Sequence, residues 1–352
     1  MNKPRVSVVM PVYNAEKFIR ESIDSVLDQS FRDLELICVD DGSTDSSPRI
    51  LEEYRSRDER LRIIRQENQF AGIARNNGLD HAEGEYVMFL DSDDVLEKDA
   101  VSYLIKNAEK NHTDVIVFGY YRFTDSIRRR RPVRNNYKNG MLSSPREIKD
   151  SIFQITRSMP WDKFIRTDFL KGTGIRYQKM RVSEDIYVNR AMVTEAERIL
   201  FTHKRLINYR VGNADSLQGR INRYPAEFLK GNEALYHELV KKDVYTLFQK
   251  SFERIVVADM ILHLKAIDSF ESFKAVVDAA AGMDFWNTLH IDASSEAVSA
   301  SGFRETMEAV IAGDAKEGLA KLLCEMQASS VSKNAIEYQI GHKLLKALRL
   351  VY

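Results

Sequence analysis

Tyr86-Val87-Met88-Phe89-Leu90-Asp91-Ser92-Asp93-Asp94 joins five apolar side chains to three carboxylates. A run with no polar face predicts a strand covered on both sides. The same pattern occurs twice upstream. Val6 to Met10 is a β-branched run ended by Pro11 and followed by Val12-Tyr13-Asn14. Leu34-Glu35-Leu36-Ile37-Cys38-Val39 runs into Asp40-Asp41-Gly42-Ser43. Helical patterns fill the gaps. Residues 15–29 carry Phe18, Ile19, Ile23, Val26 and Leu27 at helical spacing. A second helix runs to Tyr54 with Thr44 or Asp45 as N-cap, a third covers 72–82 and a fourth 98–110. Leu61 to Ile64 predicts a short strand and Val115 to Tyr121 a longer one. Strands alternating with helices predict an α/β fold, a mostly parallel sheet with helices on both faces.

In such sheets ligands bind beyond the carboxyl ends of the strands. Parallel pairing would bring the three polar strand ends to one edge. Asp40, Asp41, Asp91, Asp93 and Asp94 would then repel one another unless something positive bound between them. Mg²⁺ takes one or two carboxylates plus substrate phosphates, and a metal on a diphosphate neutralises charge on the leaving group. Each acidic pair could cap a helix or turn, for Asp40 to Gly42 alone an equal alternative; the three polar clusters together at strand ends favour the cation.

The rest of the chain sets bounds. Its 352 residues fit one large α/β domain plus an appendage. The 52 basic and 52 acidic residues balance, so overall charge gives no argument for nucleic acid. Two cysteines, Cys38 and Cys324, build neither a disulfide framework nor a zinc site, which suits a reducing cytoplasm. Cys38 reads as a small buried hydrophobe. The N-terminus reads directly into a strand without a signal peptide, and no window approaches the ~20 apolar residues of a spanning helix. Residues 122–150 read as irregular and basic, with Arg128 to Arg131 in a row. Past about residue 220 helical periodicity takes over, with Ile255, Val256, Met260, Ile261, Leu264 and Ile267 on one stripe and Met307, Val310 and Ile311 beginning another. The expected domains are 1–220 and a helical region, 221–352. In the last residues Ile340, Leu344, Leu348 and Val351 share a helical face, while Lys343, Lys346 and Arg349 fall away from it. Such a helix suits an anionic membrane surface, or docking on its own domain or a second subunit.

Taken in order, these motifs resemble the family 2 glycosyltransferases with the GT-A fold, a Rossmann-like α/β architecture. The resemblance rests on Val6 to Asn14, Val39 to Asp45, Gly72-Ile73-Ala74-Arg75-Asn76-Asn77-Gly78, Gly84-Glu85-Tyr86 and Phe89 to Asp94, the last like that family's DxD motif. It covers about residues 4–217. It implies a donor site of Pro11, Tyr13, Asn14, Asp41, Arg75, Asp91, Ser92 and Asp93. Tyr13 would lie against a uracil face, and Asp41 would accept from uracil N3. Arg75 would lie beside the nucleotide or diphosphate, and Asp91 would face the ribose and donor sugar. Asp93, with Asp94 adjacent, would hold Mn²⁺ or Mg²⁺.

Ser183-Glu184-Asp185 opens the helical run Ile186 to Val193 and resembles the family's Glu-Asp pair. Inverting transfer needs a carboxylate to take the acceptor hydroxyl's proton. Asp185 is the expected base, and Glu184 the expected acceptor contact. An acidic pair also suits a helix N-terminus for its dipole alone. Met159-Pro160-Trp161-Asp162-Lys163-Phe164 resembles the loop before the acceptor site, where Trp161 would pack on a sugar ring or simply fill the core. Lys163 reads as structural or phosphate-facing. One departure lies in Tyr209 to Ser216. Many relatives carry a histidine there; this chain has Asn213 or Asp215 near that place, and Arg210 could meet the diphosphate instead when this loop closes.

The implied function is an inverting, metal-dependent hexosyltransferase. It would move one sugar from a UDP-sugar to a saccharide acceptor, lipid-linked, in bacterial capsule, exopolysaccharide or lipopolysaccharide synthesis. The expected location is the cytoplasm, with peripheral attachment at the inner face of the membrane; a homodimer stays open. The Arg128 to Arg131 run reads as a solvated loop or as a contact for an anionic lipid-diphosphate acceptor. Two alternatives remain on the same fold, a non-catalytic saccharide-binding scaffold and a nucleotidyltransferase. The second would want a Gly-rich phosphate loop after the first strand, and Pro11-Val12-Tyr13-Asn14 is not one.

Overall fold

The structure is a computed structural model that describes residues 3–125, 130–212 and 222–329. The chain separates into two compact units, 1–213 and 214–352.

The first unit is built on one mixed sheet. Its strands are β1 (Val6–Val12), β2 (Leu34–Asp40), β3 (Leu61–Arg65), β4 (Tyr86–Phe89), β5 (Val95–Leu96), β6 (Val115–Phe123), β7 (Arg131–Pro132), β8 (Met141–Ser143), β9 (Lys163–Arg166) and β10 (Ile199–Arg210). The main path runs β3-β2-β1-β4-β9-β6-β10-β5, with β7 beside β6 and β8 beside β10. β1 pairs in parallel with β2 and β4, β2 with β3, and β6 with β10. β9 lies antiparallel between β4 and β6. The helices are α1 (Ile19–Leu27), α2 (Ser47–Arg55), α3 (Phe70–His81), α4 (Ala100–Asn111), α5 (Ile152–Thr156), α6 (Thr167–Thr173) and α7 (Asp185–Glu195).

Every residue of β1 and β2 is buried, as their apolar runs predict. β1 continues through Pro11, which the sequence takes as its end. The Val9 carbonyl accepts from Leu90 N–H at 3.0 Å, so Val9 and Pro11 both face the β4 side. β4 stops at Phe89, opposite Val9. The N–H that proline lacks therefore faces no strand. α3 lies close on this sheet because Gly78 has no side chain; a Cβ there would come within 2.3 Å of Val9 Cγ1.

The segment expected to be irregular, 122–150, departs from that reading in part. β6 runs on to Phe123, and β7 and β8 lie within the segment, paired with β6 and β10 respectively. Pairing to longer neighbours supplies order that strands of two or three residues do not signal. Arg128 and Arg129 lie outside the described residues. β9 falls where the sequence predicts only a loop.

The second unit is helical, as the change in periodicity predicts. It holds α8 (Glu227–Lys241), α9 (Tyr245–Ala266), α10 (Phe270–Gly282), α11 (Phe285–Thr288), α12 (Glu296–Ser299), α13 (Arg304–Ile311) and α14 (Ala315–Ser329). Val256, Met260, Ile261 and Leu264 are buried along α9. Phe228 of α8 stacks on His263 of α9 at 3.9 Å, and Asn232 donates to Asp259 at 3.1 Å between the same helices. Among the described residues no helix is long and apolar enough to cross a membrane. The basic helix expected over 340–351 lies outside the described residues.

Candidate active site

The strand ends gather as parallel pairing predicts. At the tip of β1, Tyr13 projects outward and is 42% exposed. Pro11 is buried behind it. Asn14 adopts a positive φ of 49°, takes the Thr44 N–H on Oδ1 at 2.8 Å and donates its own N–H to Ser43 Oγ at 3.1 Å. Asn14 thus ties the β1 tip to the β2 tip. Asp40 Oδ1 caps the following turn through Ser43 N–H at 3.0 Å. Asp41 is buried, and its Oδ1 accepts from Gln66 Nε2 at 2.7 Å and Gln69 N–H at 2.8 Å. Burial pushes the Asp41 carboxyl up, against these hydrogen bonds. Gln66 and Gln69, which orient Asp41, carry no motif, and their role was not legible in the sequence.

The Asp91 to Asp94 turn follows β4. Asp94 N–H returns to the Asp91 carbonyl at 3.0 Å, and the Ser92 carbonyl accepts from Ser22 Oγ of α1 at 2.9 Å. Asp94 is fully buried; Oδ1 accepts from Arg210 N–H at 2.8 Å, and Oδ2 has no hydrogen-bond partner. Burial, then the charges of Asp93 and Asp91, push its carboxyl well above the usual range. An orphaned carboxylate oxygen among like charges suits a hard cation. Among the described residues no group of three or more His, Cys, Asp or Glu could hold a metal. A cation at this turn would need substrate phosphate oxygens to complete its ligands.

Arg75 of α3 connects this turn to the other expected carboxylates. It is 2% exposed; Nη2 donates to Asp91 Oδ1 and Nη1 to Glu184 Oε1, each at 2.6 Å. Its guanidinium lies 5.5 Å from the Tyr177 ring centroid. Glu184 is buried at the N-terminus of α7, and Asp185 is the helix's first residue. Burial, then the Glu184 charge, pushes Asp185 up to about 7, against Arg75 and Arg190. α3 reaches this point because Gly72 is bare; a Cβ there would sit 2.8 Å from the Gln178 carbonyl and 3.1 Å from Glu184 Cγ.

Other expectations are corrected. Trp161 is 3% exposed, stacks on Tyr209 at 4.8 Å and meets Tyr120 edge-on at 4.8 Å. Its ring is occupied by aromatic neighbours, the core reading rather than a sugar platform. Lys163 is structural and fully buried. Its ammonium donates to Asp162 Oδ1 at 2.6 Å and to the Met159 and Arg157 carbonyls at 2.8 and 3.0 Å. The head of Arg210 is held by Glu21, Asp125 and the Asp93 carbonyl. Asn213 and Asp215 lie outside the described residues. A groove of about 490 Å³ beside α1, lined by Glu21, Asp24, Asp28 and Lys98 among others, holds none of the expected site residues.

Known proteins resemble this chain in sequence and in fold. Residues 7–178 match the family described as Glycosyl transferase family 2. Glycosyltransferase GlyA of Streptococcus pneumoniae serotype 4 is 30% identical over 214 residues, 59% of this chain, but the match spans only 30% of GlyA. A Bacillus subtilis protein named as glycosyltransferase EpsH is 30% identical over 242 residues, 67% of this chain and 68% of EpsH. The fold is also that of S. aureus TarS 1–349, solved in complex with UDP-GlcNAc, with a TM-score of 0.72, 21% identity and 93% of each chain covered. The sheet order and the likeness to TarS agree with the GT-A architecture that the motifs imply. The family match takes in the strand tips, Arg75 and the acidic turn, and EpsH extends the likeness across two thirds of its own length; the chain belongs to glycosyl transferase family 2.

Proposed function

We propose that the protein is an inverting, metal-dependent glycosyltransferase. It moves one sugar from a UDP-sugar to a hydroxyl of a lipid-linked saccharide acceptor in bacterial surface-polysaccharide synthesis. The observation that carries this reading is the Arg75 bridge. One buried guanidinium holds Asp91 and Glu184, each at 2.6 Å, which supports reading the acidic turn and the Glu184-Asp185 pair as parts of one site. TarS, solved with UDP-GlcNAc, supports a uridine diphosphate donor.

In this reading Tyr13 and Asp41 take the uracil, the ring against Tyr13 and N3–H on the Asp41 carboxylate. Asp93 and Asp94 would hold Mn²⁺ or Mg²⁺, and that cation would supply neutralisation of the charge growing on the departing diphosphate. Asp185 receives the acceptor hydroxyl proton as its oxygen bonds to the anomeric carbon and the bond to the diphosphate breaks. Attack from the face opposite the leaving group inverts the anomeric centre. A carboxyl near 7 is matched to that proton transfer at neutral pH. Glu184, paired with Arg75, borders the acceptor. We assign catalysis to residues 1–220, and acceptor, membrane or subunit contact to 221–352.

The test is a panel of nucleotide-sugars, with and without Mn²⁺, on the wild type and Asp93→Ala. Metal-dependent binding or slow hydrolysis of one UDP-sugar, lost in Asp93→Ala, is expected. Folded protein that binds no nucleotide-sugar would overturn the reading.

A further inference from the structure

Arg210 closes β10 with a side chain only 2% exposed. Its N–H donates to Asp94 Oδ1 at 2.8 Å, and its Nε donates to the Asp93 carbonyl at 2.7 Å. Nη2 reaches Glu21 of α1 at 2.7 Å, and Nη1 pairs with Asp125 just beyond β6. Phe18 and Phe123 pack on the guanidinium, their centroids 4.4 and 4.5 Å from Cζ. All three guanidinium nitrogens are engaged within the protein. The acidic turn is thus held at consecutive residues. Ser22 holds the Ser92 carbonyl, Arg210 holds the Asp93 carbonyl, and the Arg210 backbone holds the Asp94 side chain.

We propose that Arg210 is a positioning residue for the Asp91 to Asp94 turn, with Glu21 and Asp125 as its outer anchors, and not a ligand of the diphosphate. The proposal rests on the transferase reading above. A hard cation tolerates little displacement of its oxygen ligands, and the backbone of the turn sets where the Asp93 and Asp94 carboxylates point. Residues one step behind a metal ligand tune affinity for the metal while leaving the rest of the ligand's contacts alone. The burial of Arg210 follows from this role. The head is enclosed by two phenyl rings, and its charge is met by two carboxylates that reach in from the surface, Glu21 at 52% and Asp125 at 57% side-chain exposure.

The experiment titrates uridine, metal-free UDP and Mn²⁺ with UDP, by calorimetry. It compares the wild type, Arg210→Met and a double variant, Glu21→Gln with Asp125→Asn. The double variant changes only exposed anchors and carries the test should Arg210→Met not fold. Positioning predicts that uridine and metal-free UDP bind as in the wild type, while the Mn²⁺ step weakens about tenfold in Arg210→Met and by less in the double variant. An unchanged Mn²⁺ step in a folded variant overturns the proposal. So does metal-free UDP that weakens relative to uridine, because that loss identifies a phosphate ligand. Weakened uridine binding also overturns it, by showing a general structural role. A wild type that binds no uridine nucleotide overturns the transferase reading itself, and this proposal with it.

Discussion

Arg75 donates to Glu184 at 2.6 Å across 109 positions of chain, from α3 to the N-terminus of α7. Both partners are almost fully buried. Removing either charge would leave the other uncompensated in a low-dielectric setting. The neighbour that feels this pair is Asp185. Glu184 raises its carboxyl and Arg75 lowers it, on top of the larger push from burial.

The first prediction is therefore a pH profile. A base must be deprotonated to act, so kcat should rise with pH through about 7 and level off above it. Glu184→Gln removes the raising charge and should move that limb to lower pH. Arg75→Met removes the lowering charge and should move it up. Measuring kcat at saturating substrates separates these shifts from changes in acceptor affinity. A limb that moves up in Glu184→Gln would show that this electrostatic account is wrong.

The same carboxyl should cost stability. Its folded value lies above that of an unfolded aspartate, near ~3.9, so the folded state loses stability as pH climbs from there to about 7. The loss is absent below the unfolded value and complete above the folded one. Asp185→Asn should raise Tm over the wild type, and by more at pH 8 than at pH 5. An equal gain at both values would mean that ionisation of Asp185 plays no part.

Gly72 offers a geometric test. Adding one methyl puts a Cβ 2.8 Å from the Gln178 backbone carbonyl, which cannot swing aside as a side chain would. Gly72→Ala should cost about 1–3 kcal/mol, as overpacking does. It should also separate α3 from the 177–184 segment, lowering kcat while UDP still binds at the strand tips. Denaturant melts and UDP titration on one preparation check both. Wild-type activity in Gly72→Ala would mean that the contact has slack.

These tests also mark where the sequence was readable. Val6 to Val12, Leu34 to Asp40 and Tyr86 to Phe89 announce themselves because a strand covered on both faces is mostly apolar, and only Ser7, Glu35 and Asp40 interrupt these runs. Asp41, Arg75, Asp91, Asp94, Glu184 and Asp185 stood in motifs whose order implied one site, and the sheet brings Arg75, Asp91 and Glu184 into direct contact. β9 was missed because Lys163-Phe164-Ile165-Arg166 is short and opens on a charged residue, and only its two neighbours reveal it as a strand. Trp161 and Arg210 stayed ambiguous in the sequence for a common reason. An aromatic or a cation beside a site reads the same whether it faces ligand or core, and its packing partners, Tyr209 in one case and Phe18 with Glu21 in the other, come from distant parts of the chain.

Lys163 gives the last prediction. Burial pushes the Lys163 ammonium down and the Asp162 carboxyl up, yet they meet at 2.6 Å with neither exposed. Lys163→Met should cost about 3–5 kcal/mol by stranding Asp162, and adding Asp162→Asn should recover part of it. Urea melts of the two variants decide it. A double variant less stable than the single would show that the buried carboxylate is not the source of the cost.

β9 also bears on how the chain is made. β3, β2, β1 and β4 are complete once residue 89 is synthesised, and each pairs in parallel with its neighbour. The free side of β4 then waits for Ile165 and Arg166 to emerge, since among the described residues β9 is the strand that joins it to β6. A ribosome-bound chain in that interval presents an open strand edge to whatever passes, the kind of edge that recruits foreign strands. β9 thus closes the side of β4 that the first four strands leave open, and β10, made later still, completes the sheet beside β6.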